Sequence, residues 1–373
     1  MNSIPLHRVH TPRNIEPMMD ALRSVLASGW VGEGPQVAAF ERGLIPVIGT
    51  EHVTAVNSGT SALTLALRLA GVGPGDEVIT TPMTCMATNL PILLAGAMPV
   101  WADIDPGTGN ISPASVEAKI TAKTKAIMAV HWGGYPAEVF ELNAIASTIG
   151  VKVIEDAAHA LGATYGGQPI GSHSHFVCFS FQAIKHIHTG DGGLIACRSM
   201  VDHMRARSLK WFGIDRERRQ VNDLGIAEWQ ITEAGYKFHL NDIAATVGLS
   251  LLPELDQILA ARRANAMAYR EAFAGLKRVK LLHEGPNRRS ACWLFTLKVD
   301  DQRGFIRHLG AKGIAASIVH ARNDRAPVFA GVAKVVLPGV DEFAGSMVCI
   351  PVGQWVDDAA RERVVEAVTS EGW

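Results

Sequence analysis

Cysteine is scarce in this 373-residue chain and follows no pattern. The five cysteines, Cys85, Cys178, Cys197, Cys292 and Cys349, are odd in number and form no CxxC pair. That excludes a zinc ribbon or a disulfide framework and points to free thiols in a reducing, cytoplasmic setting. An excess of one charge is missing too: 35 Lys and Arg stand against 36 Asp and Glu, a net charge of -1. Without a single-sign field, non-specific binding to nucleic acid or to an anionic membrane is not expected. The longest weakly polar run, Leu90 to Ala102, holds two prolines and is too short to cross a bilayer. Met1 to Arg13 lacks the basic-then-apolar order of a signal peptide. Hydrophobic residues make up 48% and charged ones 19%, which excludes disorder. Glycine is plentiful, at 36 residues without a collagen-like period. That implies many tight turns and close approaches of backbone to ligands.

A chain of this length suits two domains or one large enzyme subunit. Between residues 50 and 200, short runs rich in β-branched residues alternate with helix-like stretches. The runs are HVTAV from His52, then EVIT, MPVW, KAIMAV, VKVIE, HFVCFS and GLIAC. The helical stretches include Thr60–Ala70, Ser112–Ile120 and Ala137–Ile149. Such alternation predicts an α/β fold with a mostly parallel sheet and ligands at the carboxyl ends of its strands. Ile243–Phe273 reads as long helix broken at Pro253. The strand-like CWLFTLKV and helix-like Arg303–Leu309 that follow predict a smaller α+β unit. The expected division is a large domain over 1–250 and a small one over 251–373.

Three local patterns carry chemistry. Asn57-Ser58-Gly59-Thr60-Ser61 lies between a strand and a helix. Small residues at a helix start leave free N–H groups at the positive dipole end, an anion site suited to phosphate, although Ser58 or Thr60 could equally be a simple N-cap. Glu155-Asp156-Ala157-Ala158-His159 closes the strand VKVI. Carboxylates there need a cationic partner, such as a protonated ring nitrogen, or serve only the helix dipole. Ser180-Phe181-Gln182-Ala183-Ile184-Lys185 follows another strand and precedes the turn Thr189-Gly190-Asp191-Gly192-Gly193. A lysine in such a partly desolvated place can have a lowered pKa and form a Schiff base. Together these patterns meet the needs of pyridoxal 5'-phosphate: a phosphate cup, an acid for the pyridinium nitrogen and a lysine for the aldehyde.

The same segments resemble the DegT/DnrJ/EryC1/StrS family of pyridoxal-phosphate sugar aminotransferases, within the fold-type I superfamily. The resemblance spans nearly the whole chain through GWVGEGPQVAAFE (29–41), NSGTSALTLAL (57–67), GPGDEVITTPMTCMATN (73–89), GAMPVWADID (96–105), VIEDAAHALGA (153–163), SFQAIKHIHTGDGG (180–193) and GYKFHLNDIAATVGL (235–249). It implies a seven-stranded mixed sheet between helices and a small C-terminal domain. It implies Lys185 as the Schiff-base lysine, Asp156 as the pyridinium partner, His159 beside the cofactor ring, and Ser58, Gly59, Thr60 and Ser180 around the phosphate. It also implies a homodimer with shared active sites and amination of a keto sugar, nucleotide-linked, by L-glutamate, as in perosamine synthases. Trp30 and Glu33 fall in the N-terminal segment expected to border the substrate. Two positions depart from the pattern. Cys85 stands where many members have an aromatic ring against the cofactor, and a thiol cannot stack. Lys237 stands where Asn often reaches the neighbouring subunit's phosphate, and a lysine would supply a point charge.

The segment SIVHARNDRAPVF (317–329) gathers His320, Arg322, Asn323, Asp324 and Arg325 between apolar flanks. It reads either as a solvated loop or, as in a family subgroup with a similar HARND segment, as substrate recognition. In the latter case Arg322 would meet a carboxylate or a diphosphate. Other readings compete with transamination. A sugar dehydratase of the same family carries His in place of the lysine, and His186 is adjacent to Lys185. A cofactor-bound regulator need not turn over. A metal enzyme would use His173, His175, His186 and His188, but no third-ligand pattern exists, so no metal is expected. No GxxxxGK is present, which speaks against nucleotide hydrolysis.

Overall fold

Each apolar run read as a strand between residues 50 and 200 is one, because β-branched and aromatic residues are bounded there by Gly and polar turns. The computed structural model describes residues 3–216, 220–229 and 231–370. In chain order, α1 (Glu16–Ser28) and α2 (Pro35–Ile48) precede β1 (Val53–Val56), α3 (Gly59–Leu69), β2 (Glu77–Thr80) and α4 (Met86–Leu94). Then come β3 (Met98–Trp101), α5 (Pro113–Glu117), β4 (Thr124–Val130), α6 (Val139–Ile149) and β5 (Lys152–Asp156). Short strands β6 (Thr164–Tyr165) and β7 (Gln168–Pro169) lead to β8 (Phe176–Ser180), β9 (Gly193–Cys197) and α7 (Met200–Leu209). The helix expected over 112–120 is thus realised only as the five residues of α5.

Seven strands form one mixed sheet in the order β1-β9-β8-β5-β4-β2-β3. Every pairing is parallel except the two made by β9. Apart from the edge strand β3, whose Met98 is exposed, the strands are buried on both faces, as a helix-covered sheet requires. Successive residues feed opposite cores. Ile79, Ile127, Val153 and Val177 pack with Phe40 and Leu44 of α2 and Leu142 of α6. Their neighbours Val78, Ala126, Ile154 and Cys178 pack with Leu63 and Leu67 of α3 and Leu209 of α7.

Past the short hairpin β10 (Gln220–Val221) and β11 (Ala227–Glu228), α8 (Asp242–Leu251) and α9 (Leu255–Phe273) flank a 3-10 turn at Pro253, the expected break. The stretch Asp242–Phe273 is long and apolar enough to cross a membrane by length and composition alone. Its apolar residues are used as core: Leu251, Leu255 and Ile258 serve the large sheet, while Tyr269 and Phe273 serve a second core. The remaining elements are β12 (Lys280–Leu281), β13 (Arg288–Arg289), β14 (Phe295–Lys298), α10 (Gln302–Ala311), α11 (Pro338–Ser346), β15 (Met347–Ile350) and α12 (Asp358–Thr369). The antiparallel sheet β12-β14-β15 carries α10 and α12 around Phe295, Leu297, Phe305 and Val364. The run CWLFTLKV becomes strand only from Phe295, since Cys292 takes a left-handed φ of 50° and turns Trp293 out of line.

Candidate active site

The direction of β9 decides where the site lies. Gly193, its first residue, is opposite both Val56, the last of β1, and Ser180, the last of β8. The turn 57–59 therefore meets Ser180 and the Gly-rich turn at one end of the sheet. A Cβ on Gly59 would stand 3.0 Å from the Ser180 Cβ. A Cβ on Gly193 would stand 2.3 Å from the Ser58 carbonyl oxygen and 2.5 Å from the Gly59 nitrogen. Ser58 caps α3, its hydroxyl accepting from the Ser61 N–H at 3.0 Å. The first N–H groups of α3, at Gly59 and Thr60, are left to an outside acceptor at the positive end of the helix. Gly59, Thr60 and Ser180 thus lie together as a cup that an anion would fit, with the Ser58 hydroxyl engaged as the cap of α3. Gly193→Ala is expected to push this cup open. It should destabilise the protein by about 2 kcal/mol or more, as overpacking against backbone does, and should release the phosphate-bearing cofactor. Thermal melts and cofactor titration measure both.

Asp156 ends β5, two strands from β9, and is buried. Its Oδ2 accepts the Thr88 hydroxyl at 2.6 Å and its Oδ1 accepts the Ala158 N–H at 3.1 Å. Lys185 is partly buried, with its Nζ 3.8 Å from the ring centroid of Trp293. Burial lowers the Lys185 pKa from 10.5 to about 8, against the opposing pull of Asp156 and Cys85 and with help from Arg262. An amine with that pKa can exchange a proton near neutrality. Cys85 lies at the start of α4, close enough for its charge to bear on Lys185.

Imidazoles crowd the same place. His159 stacks on Trp293 at 3.8 Å between centroids, and His320 stacks on His159 at 5.7 Å. His7 stacks on Trp293 at 4.9 Å. Burial, then the charge of Lys185, pushes His7 and His320 down to about 4 and His159 well below its ordinary value. Burial, then Arg262, does the same to His186. These pKa values lie below those of the unfolded chain, so the unfolded state binds more protons once the pH falls under about 6.5. The full stability is present above that pH and is lost as pH drops toward 4. His7 and His320 should each account for about 2 kcal/mol after allowance for their partial exposure. Melts recorded from pH 7 to 4.5 should show a steep fall, and a flat profile would refute the assignment.

Several expected residues lie elsewhere or act differently. Trp30 is exposed and donates its indole N–H to the Glu33 carbonyl oxygen. The Glu33 carboxylate pairs with Lys210 at 2.5 Å and Arg216 at 3.3 Å. Within this chain neither joins the Lys185 cluster. Lys237 is exposed beside the cup, its Nζ 3.3 Å from the centroid of Trp211. Arg322 was expected as a receptor for a substrate anion, and in this structure it is held by two acids of its own chain. Its Nε and one terminal nitrogen hold both oxygens of Asp324 at 2.8 and 2.7 Å, and the other terminal nitrogen holds Asp341. Two carboxylates already occupy the guanidinium. Asn323 is buried and works as a fastener, giving its amide N–H groups to the Thr84 carbonyl and accepting from Asn89. His186 and His188 reach the carbonyls of Ala291 and His10, respectively, so the two rings do not share a ligand. Among the described residues no group of three His, Cys, Asp or Glu could hold a metal ion.

Three residues of the cluster have no expectation in the local patterns. Thr88 sits in the first turn of α4 within CMATN, eight residues past the end of β2, and its only signal was a hydroxyl near a helix start. Trp293 carried one as well, since a buried indole N–H needs a partner, here the Ile184 carbonyl at 3.0 Å. His7 carried none.

Residues 12–369 match the model of the DegT/DnrJ/EryC1/StrS aminotransferase family. The spore coat polysaccharide biosynthesis protein SpsC of Bacillus subtilis (strain 168) is 38% identical over 280 residues, 74% of this chain and 72% of that protein. The solved structure of AtS13 from Actinomadura melliaura superposes with a TM-score of 0.94 at 39% identity, covering 100% of both chains. That of the sugar aminotransferase CalS13 from Micromonospora echinospora gives 0.93 at 38% identity, over 99% of this chain and 100% of its own.

Proposed function

The chain belongs to the DegT/DnrJ/EryC1/StrS aminotransferase family, and from that membership we propose that it moves an amino group from L-glutamate to a keto sugar linked to a nucleotide. Its cofactor is pyridoxal 5'-phosphate, on which the family depends. When bound, this group supplies the electron sink that stabilises negative charge on the substrate carbon. The residues present fit it. Gly59, Thr60 and Ser180 offer hydroxyl and N–H donors to its phosphate, while Ser58 holds the turn, its own hydroxyl proton going to Ser61 Oγ because Ser61 donates to Asn57. Asp156, with Thr88 and Ala158 fixing its two oxygens, would face its ring nitrogen. His159 would lie along the ring, its buried Nδ1 having no partner of its own. Lys185 would hold its aldehyde carbon, water leaving, and once the amino donor displaces it the freed amine would carry the proton between substrate and cofactor carbons. Exposed Lys237 suits a role across the interface of a homodimer.

The observation that carries this reading is the convergence of a partly buried lysine, a buried aspartate and the start of α3 at one end of one sheet. It favours transamination over the dehydratase of the same family, because Lys185 and not His186 stands in the cluster. It also favours an enzyme over a regulator, since a lysine poised near pH 8 serves proton transfer. The sugar is supported by the names of its relatives, and the nucleotide by the resemblance to the family alone. The loaded protein should be yellow, L-glutamate should bleach it, and a nucleotide-linked keto sugar should restore the colour. Failure of every amino donor to bleach it would overturn the proposal.

A further inference from the structure

We propose that the indole of Trp293 is the resting place of the Lys185 amine whenever that amine is not bonded to the cofactor, which makes Trp293 a positioning residue for the proton transfers of Lys185. The inference rests on the transamination reading above, in which the amine is free from its displacement by the amino donor until the acceptor has been aminated. A flexible four-carbon stem released without a second fixed position would spread its amine over many rotamers. Proton transfer is efficient only from a held geometry.

The structure holds the platform from several sides. Trp293 is 2% exposed. Its indole N–H donates to the carbonyl of Ile184, the residue next to Lys185, so tether and platform move as one. Its own carbonyl and that of Cys292 are held by one terminal nitrogen of Arg262, at 3.3 and 3.4 Å. Cys292, just before it, adopts a φ of 50° that a non-glycine residue takes only when its surroundings impose it. His159 and His7 stack on the ring.

The amine lies over this ring and in no ion pair among the described residues. Lys185 and Asp156 form no ion pair within 4.0 Å among the described residues, while the Nζ lies 3.8 Å from the indole centroid. An ammonium on a desolvated tryptophan face is attracted by the ring quadrupole, and most strongly where water is excluded. The other charged or titratable groups around it are Asp156 and Cys85, which favour the cation, Arg262, which disfavours it, and the neutral rings of His7, His159, His186 and His320. The Trp293 face therefore adds to the cation-favouring side without fixing the amine in an ion pair that would have to break at each turnover.

The test uses the full chain loaded directly with pyridoxamine 5'-phosphate, in which Lys185 is free without any turnover. Tryptophan at position 293 is replaced by mono-, di- and trifluorotryptophan, which weaken the ring quadrupole with almost no change in shape. Acetylation of the Lys185 peptide is followed against pH by mass spectrometry. The midpoint should fall stepwise with each fluorine, by about one pH unit for the trifluoro ring, a tenfold change in the protonation equilibrium. Trp293→Phe should shift it the same way, with kcat reduced several-fold and KM little changed. A midpoint indifferent to fluorination, in proteins with unchanged melting temperature, overturns the proposal. Because this titration needs no amino donor, its failure is separate from a failure of glutamate to bleach the yellow protein.

Discussion

Lys185→Ala is expected to lower turnover by at least ~10³-fold, the range that a positioned acid–base group supplies, while leaving the fold intact. Removing the side chain takes an amine out of a site where burial opposes its charge, so the melting temperature should hold or rise. Borohydride should no longer fix the cofactor to the chain. Lys185→Arg separates charge from proton transfer. The guanidinium keeps the positive charge over Trp293 but does not release a proton near neutrality, so this variant should be as inactive as alanine. Small primary amines added to Lys185→Ala should restore part of the rate, since they supply the lost proton carrier. An active Lys185→Arg enzyme, or an alanine variant with near-normal turnover, would remove Lys185 from the chemistry.

The strands of the large sheet were legible because each is a short β-branched run bounded by turns, and burial on both faces demands such runs. The direction of β9 was not legible. GLIAC reads the same parallel or antiparallel, and only its pairing with β1 and β8 brings Gly193 to the cup. Ser58, Gly59, Asp156, Ser180 and Lys185 were legible because each closes or follows a strand, so one sheet gathers them automatically. Trp293 was hidden in a run that looked like plain strand, since the left-handed turn at Cys292 carries no mark in the sequence. The pairing of Arg322 was hidden for a different reason. Its neighbour Asp324 was in plain view, but Asp341 lies 19 residues on, and only folding brings that second acid to the guanidinium. Clustered polar residues announce a site or its internal neutralisation equally well, and the distinction is a matter of tertiary distance.

Asp156→Asn is expected to cost about 10³-fold in kcat, in the range seen when a preorganised charge or donor is removed, with little loss of stability. The direction of the local hydrogen bonds explains why the fold should survive. Thr88 has one proton and gives it to Asp156, so the Thr84 hydroxyl, 2.7 Å from that of Thr88, must donate to Thr88. In the asparagine variant the amide oxygen can still accept from the Ala158 N–H. The amide NH2 then faces Thr88, whose hydroxyl turns to accept it and donates to Thr84 instead. Each of the three side chains keeps a hydrogen bond, and the main loss is the full negative charge. That charge has two tasks. It would hold the proton on the cofactor ring, and it opposes burial at Lys185. Its loss should therefore drive the Lys185 pKa below about 8, which the pH profile of Lys185 acetylation would register independently of turnover. Asp156→Glu restores the charge one methylene out of place and should fall between the wild type and asparagine on both measures. An asparagine variant with kcat within tenfold of the wild type, or with an unmoved Lys185 titration, would show that Asp156 serves only the Thr84–Thr88 hydroxyl chain.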